Sequence, residues 1–364
     1  MADAVHSKCI AARRGSSSLP FGTTTYQDKL RQPCPASARH AVGDVEPAVS
    51  PASDTQPWCI GAACHPSSEE SRVPESPLIQ ILADRFAIPP AGIDLLAGRE
   101  DRIVCRVQVG GELFVAKVSG TADAFGEEAA ANARLHALGL PVSVIDTVEP
   151  GPPAIFVAGW AHGVRVTART NPAALRDIGA ILRRIHRLPA TPPYSGNPTL
   201  LAWIEGWFRA VLHWWLEMGA RASDVEALSW AWLAAVTPHL ANREGAMTLF
   251  DGRPEHFLVD GAGAIRMIDV ADLQGGDPAM DLAVLELDEP GILHPVLAGY
   301  GPSAVEMERF RHLVPFHVFL RALSAAEWQA RIVGDSVASE RYLAVACAAL
   351  TRWASHEDTE APVR

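Results

Sequence analysis

The feature that most limits the fold of this chain is a change in hydrophobic periodicity along its length. Between Ile103 and Val109 every second residue is apolar, which is the period of a β-strand with one buried face. The pair Gly110-Gly111 predicts a tight hairpin, and 113–118 is the returning strand. The second half of the chain has its apolar residues at helical spacing instead. We therefore expect an α+β fold, with a small N-terminal antiparallel β-sheet lobe and a larger, mainly helical C-terminal lobe.

The same patterns predict the remaining elements. One key helix at 122–138 is rich in alanine and ends at Gly139 and Pro141. The helix at 199–219 has an aromatic stripe, which is more typical of a core than of a ligand site. Strands are predicted at 93–96, 142–148 and 154–159, with two short ones at 247–260 and 264–270; other helices are predicted from Pro77 to Phe86 and at 173–187, 223–240, 280–288, 304–330 and 339–355.

The first 76 residues differ from the rest in composition. Residues 1–76 are rich in Ser, Pro, Ala, Gly and Thr without sustained periodicity, which predicts a disordered, low-complexity extension. Cys59, Cys64 and His65 could suggest a metal cluster, but their spacing fits no zinc pattern and a fourth ligand is missing. Unstructured thiols are the favoured interpretation. The rest of the chain is expected to divide into lobes at 77–161 and 162–364.

Charge and hydropathy narrow the possible partners. No apolar run approaches the roughly 18 residues that span a bilayer, so we expect no membrane partner. Cys105 and Cys347 lie in strand and helix patterns as buried small apolar residues, and a reducing cytoplasm is the simplest location. From residue 190 onward the chain has twelve arginines, no lysine and 23 acidic residues, which accounts for the whole net charge of −11. Such a surface repels nucleic acid and favours cationic ligands. The simpler alternative is that acidic residues keep the protein soluble, and the charge alone favours that alternative.

Lys117 is the first candidate for chemistry. It is one of three lysines and lies in the strand that follows the hairpin. An ammonium there can pair with nucleotide phosphates if a carboxylate on the next helix holds it. Glu128 is preferred over Glu127, because it shares a helix face with the apolar residue Leu135. The alternative is a lysine on an edge strand that extends to water.

Three further polar residues have the spacing of a phosphotransfer site. Asp251 precedes His256 by five residues, and Asp269 follows thirteen residues later, after an apolar strand. Phosphoryl transfer needs a carboxylate that orients the acceptor hydroxyl, a carboxylate on Mg²⁺ and a second metal or phosphate ligand. Asp251, Asp269 and His256 can supply these in that order. The alternative is that each residue has only a local structural role, with Asp251 in a turn and Asp269 capping the next turn.

These segments resemble the aminoglycoside phosphotransferase family of antibiotic kinases, which has a bilobal protein-kinase-like fold. The family pattern is His-Gly-Asp-x-x-x-x-Asn, a strand, Ile-Asp-x, and Gly-Asp-Pro-x-x-Asp-Leu-Ala. Residues 276–283 match the closing motif at every fixed position, and the resemblance extends over about 90–355. It implies that Asp251 is catalytic, that Asp269 binds magnesium, and that Lys117 and Glu128 form the phosphate-binding pair. The matches outside these positions are Gly139-Leu140-Pro141-Val142, Ile185-His186 at a helix end, and Ala154–Gly159 as the strand that enters the adenine-binding hinge.

The sequence departs from the family pattern at the front of its catalytic segment. Leu249 and Phe250 replace the motif His and Gly, and His256 replaces the Asn. An imidazole prefers softer ions than Mg²⁺, although some relatives, macrolide kinases among them, carry a His here. The loop that covers the phosphates has only Gly98, so backbone amides and polar residues near 99–101 would contact the phosphates.

The resemblance implies a kinase that uses ATP or GTP with Mg²⁺ and phosphorylates a hydroxyl of a small molecule. The default acceptor is cationic, such as an aminoglycoside-type antibiotic. The alternatives are a kinase of a macrolide, sugar or amino alcohol, and a nucleotide-binding pseudokinase. Asp277 and Asp281 are expected to brace the catalytic loop by capping backbone amides. The candidate acceptor ligands are Asp272, Glu286, Asp288 and Glu289.

Overall fold

The computed structural model describes residues 76–99, 101–190, 192–219 and 223–360. The extension predicted at 1–76, with Cys59, Cys64 and His65, therefore lies outside the described residues, apart from Ser76. The chain forms two compact units. The sheet unit is the described part of His40–Val166 together with Pro254–Leu273, and the helical unit is the described part of Thr167–Arg253 and Gln274–Arg364.

The elements follow one another in an order that fits an α+β class, with an antiparallel sheet before a mainly helical part. That class confirms the fold predicted from the sequence. In chain order they are α1 (Pro77–Phe86), β1 (Ile93–Arg99), β2 (Arg102–Val109), β3 (Glu112–Ser119), α2 (Gly126–Ala137), β4 (Ile145–Glu149), β5 (Ala154–Gly159), β6 (Val164–Arg165), α3 (Pro172–His186), α4 (Leu200–Glu217), α5 (Ser223–Leu240), β7 (Ala246–Thr248), β8 (Phe257–Val259), β9 (Ile265–Met267), β10 (Gln274–Gly276), α6 (Pro278–Asp288), α7 (Leu293–Tyr300), α8 (Ala304–Trp328) and α9 (Ser336–Glu360).

The main sheet has two faces with different tasks. Its strands lie in the order β1-β2-β3-β5-β4, and all neighbours are antiparallel. Because successive side chains of a strand point to opposite faces, Ile103, Cys105 and Val107 share one face, which is buried in a core with α1. The opposite face includes Arg102 and Lys117, since Val104 lies directly across from Lys117. One face therefore stabilises the sheet and the other can present charge.

The β2–β3 hairpin depends on its two glycines. Gly110 and Gly111 have φ angles of 59° and 90°, and Val109 pairs with Glu112 on either side of them. Two successive positive φ angles match the twist of the flanking strands but are unfavourable for residues with a Cβ. The turn therefore fixes the register that puts Lys117 opposite Val104.

The helical unit is built around aromatic side chains. Trp232, Phe208, Phe316 and Phe319 are almost fully buried, and the ring centroids of Trp232 and Phe319 lie 5.3 Å apart. Most of the aromatic stripe of α4 belongs to this interior, which confirms the core assignment; the buried members are Trp203, Phe208, Trp214 and Trp215. Among the described residues, no helix has the length and apolar character required to cross a membrane.

The predicted strand at 247–260 is wrong as one continuous element. Its start forms β7, which pairs with β10, whereas its end forms β8, which pairs with β6 and β9. The intervening residues leave the extended conformation because Phe250 has a φ of 62° and Pro254 begins a 3₁₀ turn. The sequence patterns also missed β6, β10 and α7, since two or three residues show no period and α7 has Pro295 in its first turn.

Candidate functional site

Lys117 occupies the middle of the main sheet. Its strand β3 pairs with β2 on one side and β5 on the other, so the alternative of an edge-strand lysine is wrong. The residue is only 7% exposed, and its Nζ lies 2.6 Å from Oε1 of Glu128, in the first turn of α2. Glu128 is 5% exposed and its Oε2 has no hydrogen-bond partner among the described residues. The predicted pair is therefore formed and buried.

Asp269 brings a second carboxylate to the same ammonium. Its Oδ1 lies 3.1 Å from Nζ of Lys117, while its side chain remains 47% exposed. Asp269 follows β9 and has a φ of 54°, a left-handed backbone that is uncommon outside glycine. His256 lies beside it, with 3.9 Å between Nε2 of His256 and Oδ2 of Asp269. Four of the five residues predicted for the site are thus neighbours within the sheet unit.

The electrostatics of this cluster favour charged forms of Lys117 and Asp269. Burial lowers the pKa of Lys117, but the charges of Glu128 and Asp269 outweigh it, and the pKa ends above its usual value. Burial raises the pKa of Glu128, and the attraction of Lys117 offsets only part of that effect. Burial also raises the pKa of Asp269, but Lys117 and His256 reverse the effect, and the pKa ends below its usual value. Asp269 is therefore the exposed anion of the cluster.

Asp269 and His256 could provide two ligands for a divalent cation. Mg²⁺ commonly takes one or two protein ligands and completes its shell with phosphate oxygens and water. One carboxylate and one imidazole supply that number of ligands, and the carboxylate is the type that Mg²⁺ prefers, whereas the imidazole is more typical of softer ions. A site formed by protein ligands alone would need more donors. Among the described residues, no group of three or more His, Cys, Asp or Glu side chains could hold a metal ion.

Asp251, the fifth predicted residue, belongs to the helical unit and has a different environment. Its Oδ1 accepts hydrogen bonds from Nε of Arg253 and Nη2 of Arg321, both at 3.0 Å. The Arg253 guanidinium also donates through Nη1 to Asp288 at 3.1 Å. Arg321 lies on α8, and its side chain is 12% exposed, whereas that of Asp251 is 30% exposed. The carboxylate therefore points partly to solvent while two guanidiniums fix one of its oxygens.

Sequence reasoning missed both arginines. Arg253 stands two residues from Asp251, so its proximity was a usable signal. Arg321 is 70 residues away in the chain and has no local signal. Its guanidinium lies 4.8 Å from the ring centroid of Phe250 and 5.7 Å from that of Trp207. Arg321 thus joins Asp251 to the aromatic side chains next to it.

Asp281 holds the backbone before Asp251. Its two carboxylate oxygens accept hydrogen bonds from the backbone N–H groups of Leu249 and Phe250, each at 2.8 Å. The ring of His186 lies between Asp281 and Tyr300, with 3.0 Å from Nε2 to the carboxylate and 3.0 Å from Nδ1 to the hydroxyl. The predicted bracing role of Asp281 matches these contacts.

Asp277 has a different task from the one expected. It accepts from the backbone N–H of Ala279 at 2.8 Å and from Nη1 of Arg243 at 2.8 Å, so it caps α6 rather than the loop.

The candidate acceptor ligands Asp288, Glu286 and Glu289 accept hydrogen bonds from other groups of the protein. Asp288 accepts from Arg253 and from the Tyr342 hydroxyl. Glu286 accepts from the backbone N–H of Gly291, and Glu289 accepts from that of Ala168. Asp272 lies in the other compact unit, the sheet unit.

Comparisons with known proteins match the chain to one family. The model of the phosphotransferase enzyme family (APH) matches residues 93–313. A search of curated proteins found no match.

Solved structures are similar in fold. A thermostable mutant of aminoglycoside phosphotransferase APH(4)-Ia, in a ternary complex with ADP and hygromycin B, is 16% identical with a TM-score of 0.59, over 75% of this chain and 98% of its own. Macrolide 2'-phosphotransferase MphH from Brachybacterium faecium is 16% identical with a TM-score of 0.51, over 71% and 94%. An ethanolamine kinase from Plasmodium vivax is 11% identical with a TM-score of 0.53, over 70% and 81%. These likenesses establish the protein-kinase-like fold.

Proposed function

This chain belongs to the APH phosphotransferase enzyme family, and from that premise we propose that it transfers the γ-phosphoryl group of ATP or GTP to a hydroxyl of a small molecule. The observation that carries the proposal is the buried ion pair of Lys117 and Glu128, which also contacts the exposed carboxylate of Asp269. A desolvated, oriented ammonium beside an anion is suited to binding nucleotide phosphates together with a divalent cation.

Each residue of the proposed site has one task. Lys117 binds phosphate oxygens, and Glu128 keeps its ammonium in place. Asp269 and His256 would hold Mg²⁺, which would neutralise charge on the phosphates when bound. Asp251 orients the acceptor hydroxyl and accepts its proton during transfer. Arg253 and Arg321 hold the carboxylate of Asp251 in one orientation.

The organisation of the chain enters the proposal in the same way. Residues 77–161 form the nucleotide-binding lobe, and 162–364 provide the catalytic loop and the acceptor site. We place the activity in the cytoplasm, where nucleoside triphosphates are available, with neither nucleic acid nor membrane as a partner.

The net charge supports a cationic acceptor, such as an aminoglycoside-type antibiotic. All of the −11 charge arises from residue 190 onward, in the predicted acceptor lobe. Polyamine sugars gain affinity from carboxylates around their ammonium groups. Hygromycin B is bound by one structurally similar protein, at 16% identity.

A neutral acceptor, such as a macrolide or a sugar, is the second candidate, and the surroundings of Asp251 favour it. Arg253 and Arg321 already neutralise Asp251 and Asp288, so an ammonium brought to this carboxylate gains no net attraction.

A panel of acceptors tests these proposals. The full chain is incubated with Mg²⁺, with ATP or GTP, and with aminoglycosides, macrolides, sugars or amino alcohols, and release of ADP or GDP is measured. The Asp251→Ala variant is the matched control. Acceptor-stimulated release with wild type alone supports the kinase, and the stimulating compound identifies the acceptor class. Nucleotide binding without stimulation by any acceptor indicates a pseudokinase instead.

An antibiotic acceptor has a further test in living cells. Expression of the wild-type chain in a susceptible host should raise the inhibitory concentration of the antibiotic that stimulates ADP release. Expression of Asp251→Ala should leave that concentration unchanged, since the proton acceptor is missing.

A further inference from the structure

Arg102 is the second cation on the face of the sheet that carries Lys117. It lies directly across from Ser119, two residues beyond Lys117 on β3, so Arg102 and Lys117 are diagonal neighbours on one face. Diagonal neighbours in an antiparallel pair are about 7–8 Å apart, a separation that long side chains can bridge. The guanidinium of Arg102 stacks over the ring of Phe125 at 5.0 Å, and Phe125 directly precedes α2, the helix of Glu128.

The charge of Arg102 reaches the carboxylates of the cluster. Burial and the nearby Lys117 have the larger effects on the pKa of Glu128 and of Asp269, and Arg102 adds a further lowering to both. Arg102 forms no salt bridge with any carboxylate that the structure describes. Its positive charge therefore remains available beside the exposed anion Asp269.

Lys117 alone cannot neutralise the negative charge of a bound nucleotide. Its ammonium is already shared between Glu128 and Asp269, so the positive charge of Lys117 is internally compensated. A nucleoside triphosphate remains anionic after it binds one divalent cation, and planar guanidinium groups bind phosphate oxygens through paired hydrogen bonds. The nucleotide needs an additional cation on this face.

We propose that Arg102 is a second nucleotide-binding residue, whose guanidinium contacts phosphate oxygens beside Lys117. This inference rests on the proposed nucleotide-dependent function and adds to it a residue that sequence analysis did not select. Arg102 is exposed, so its phosphate contact requires no unfolding and no exchange of a buried partner.

Arg106 provides a matched control on the same strand. It lies across from Val115, so it is the diagonal neighbour of Lys117 on the other side. Its guanidinium, unlike that of Arg102, is occupied by Asp94, at 2.6 Å from Nη2 and 2.9 Å from Nε. The two arginines therefore differ mainly in that, within the described part of the chain, a carboxylate neutralises Arg106 but not Arg102.

The test measures binding of ADP and of adenosine to the full chain with Mg²⁺ by calorimetry, without any acceptor. We expect Arg102→Gln to weaken ADP binding about tenfold, the worth of one charge-assisted hydrogen bond, with adenosine affinity unchanged. Arg102→Lys should keep part of the lost affinity, and Arg106→Gln should leave the affinities for both ligands unchanged. Melting temperatures of all variants check that each is folded.

The outcomes separate this inference from the proposed function. Equal ADP affinity in wild type and Arg102→Gln overturns the phosphate contact and leaves the kinase proposal intact. Equal losses for ADP and adenosine also overturn it, because they indicate a structural role of the stack on Phe125. If the wild-type chain binds neither ligand, the nucleotide-dependent function itself fails, and the inference fails with it.

Discussion

Each compact unit contains one of the two aspartates predicted for the site, and the two are held in different ways. In the sheet unit, Asp269 meets the compact ammonium of Lys117 at 3.1 Å. In the helical unit, Asp251 accepts from two guanidiniums at one oxygen. A single ammonium fixes little direction, so Asp269 can exchange partners with a metal ion, whereas two planar donors fix the carboxylate of Asp251. The difference suggests that one aspartate is built for exchange and the other for orientation.

The largest expected effect separates the two aspartates. Asp251→Ala and Asp269→Ala should each lower kcat by about a thousandfold, since one removes the proposed proton acceptor and the other a proposed metal ligand. Only Asp269→Ala should also weaken Mg²⁺-dependent ATP binding. ADP release in the presence of an acceptor and calorimetric ATP titration measure the two effects. Turnover at the wild-type rate in Asp251→Ala would make its assigned role wrong.

The next effect concerns the buried pair that supports Asp269. Lys117→Met leaves Glu128 buried without a counterion, so the free energy of unfolding should fall by about 3 kcal/mol. Adding Glu128→Met should recover most of that loss, because no buried charge then remains. Denaturant titration followed by circular dichroism measures both.

The exposed ion pair of Arg106 and Asp94 is the control for the variants of Lys117 and Glu128. Arg106→Met should cost less than about 1 kcal/mol, because water solvates both partners. A Lys117→Met variant as stable as wild type would show that the ammonium does not neutralise Glu128.

A smaller effect tests whether Asp251 needs a fixed orientation. Arg321→Lys keeps the charge but loses the planar stack on Phe250 and Trp207, so kcat should fall about tenfold while the KM for ATP is unchanged. Arg311→Lys, an exposed change on the same helix, is the matched control. An unchanged kcat in Arg321→Lys would mean that charge alone suffices at Asp251.

The smallest effect concerns the backbone next to Asp251. Phe250 has a φ of 62°, where a residue with a Cβ costs about 1 kcal/mol more than glycine. Phe250→Gly should therefore be about 1 kcal/mol more stable than Phe250→Ala, although both lose the aromatic contacts with Trp203 and Trp207. Thermal denaturation measures the difference. If the alanine variant is the more stable one, the left-handed conformation at this position is incorrect.

The sheet unit could be predicted further than the helical unit because its information is local. Strand alternation and the Gly110-Gly111 turn fix the register of β2 and β3, and that register puts Lys117 directly across from Val104. Helical periodicity in α2 then identifies Glu128 rather than Glu127 as the partner of Lys117. Both steps use residues at most eighteen positions apart in the sequence.

The surroundings of Asp251 depend instead on distant parts of the chain. Asp281 binds the loop from α6, and Arg321 binds Asp251 from α8. Arg321 resembles any other arginine of an amphipathic helix until the packing of Trp207 and Phe250 buries it. The pairing of β7 with β10 could not be predicted from the sequence either, because a strand of three residues is too short to show a hydrophobic period. Periodicity predicts elements, but it does not predict which side chains tertiary packing brings together.

The scarcity of lysine has a practical consequence for chemical labelling. Lys117 is the only lysine among the described residues, and the other two, Lys8 and Lys29, precede them. A nucleotide analogue with an amine-reactive group on its phosphate chain would therefore acylate one position in that part of the protein. Cleavage after lysine would then fail at Lys117, and mass spectrometry would report occupancy of the site as a single missed cut.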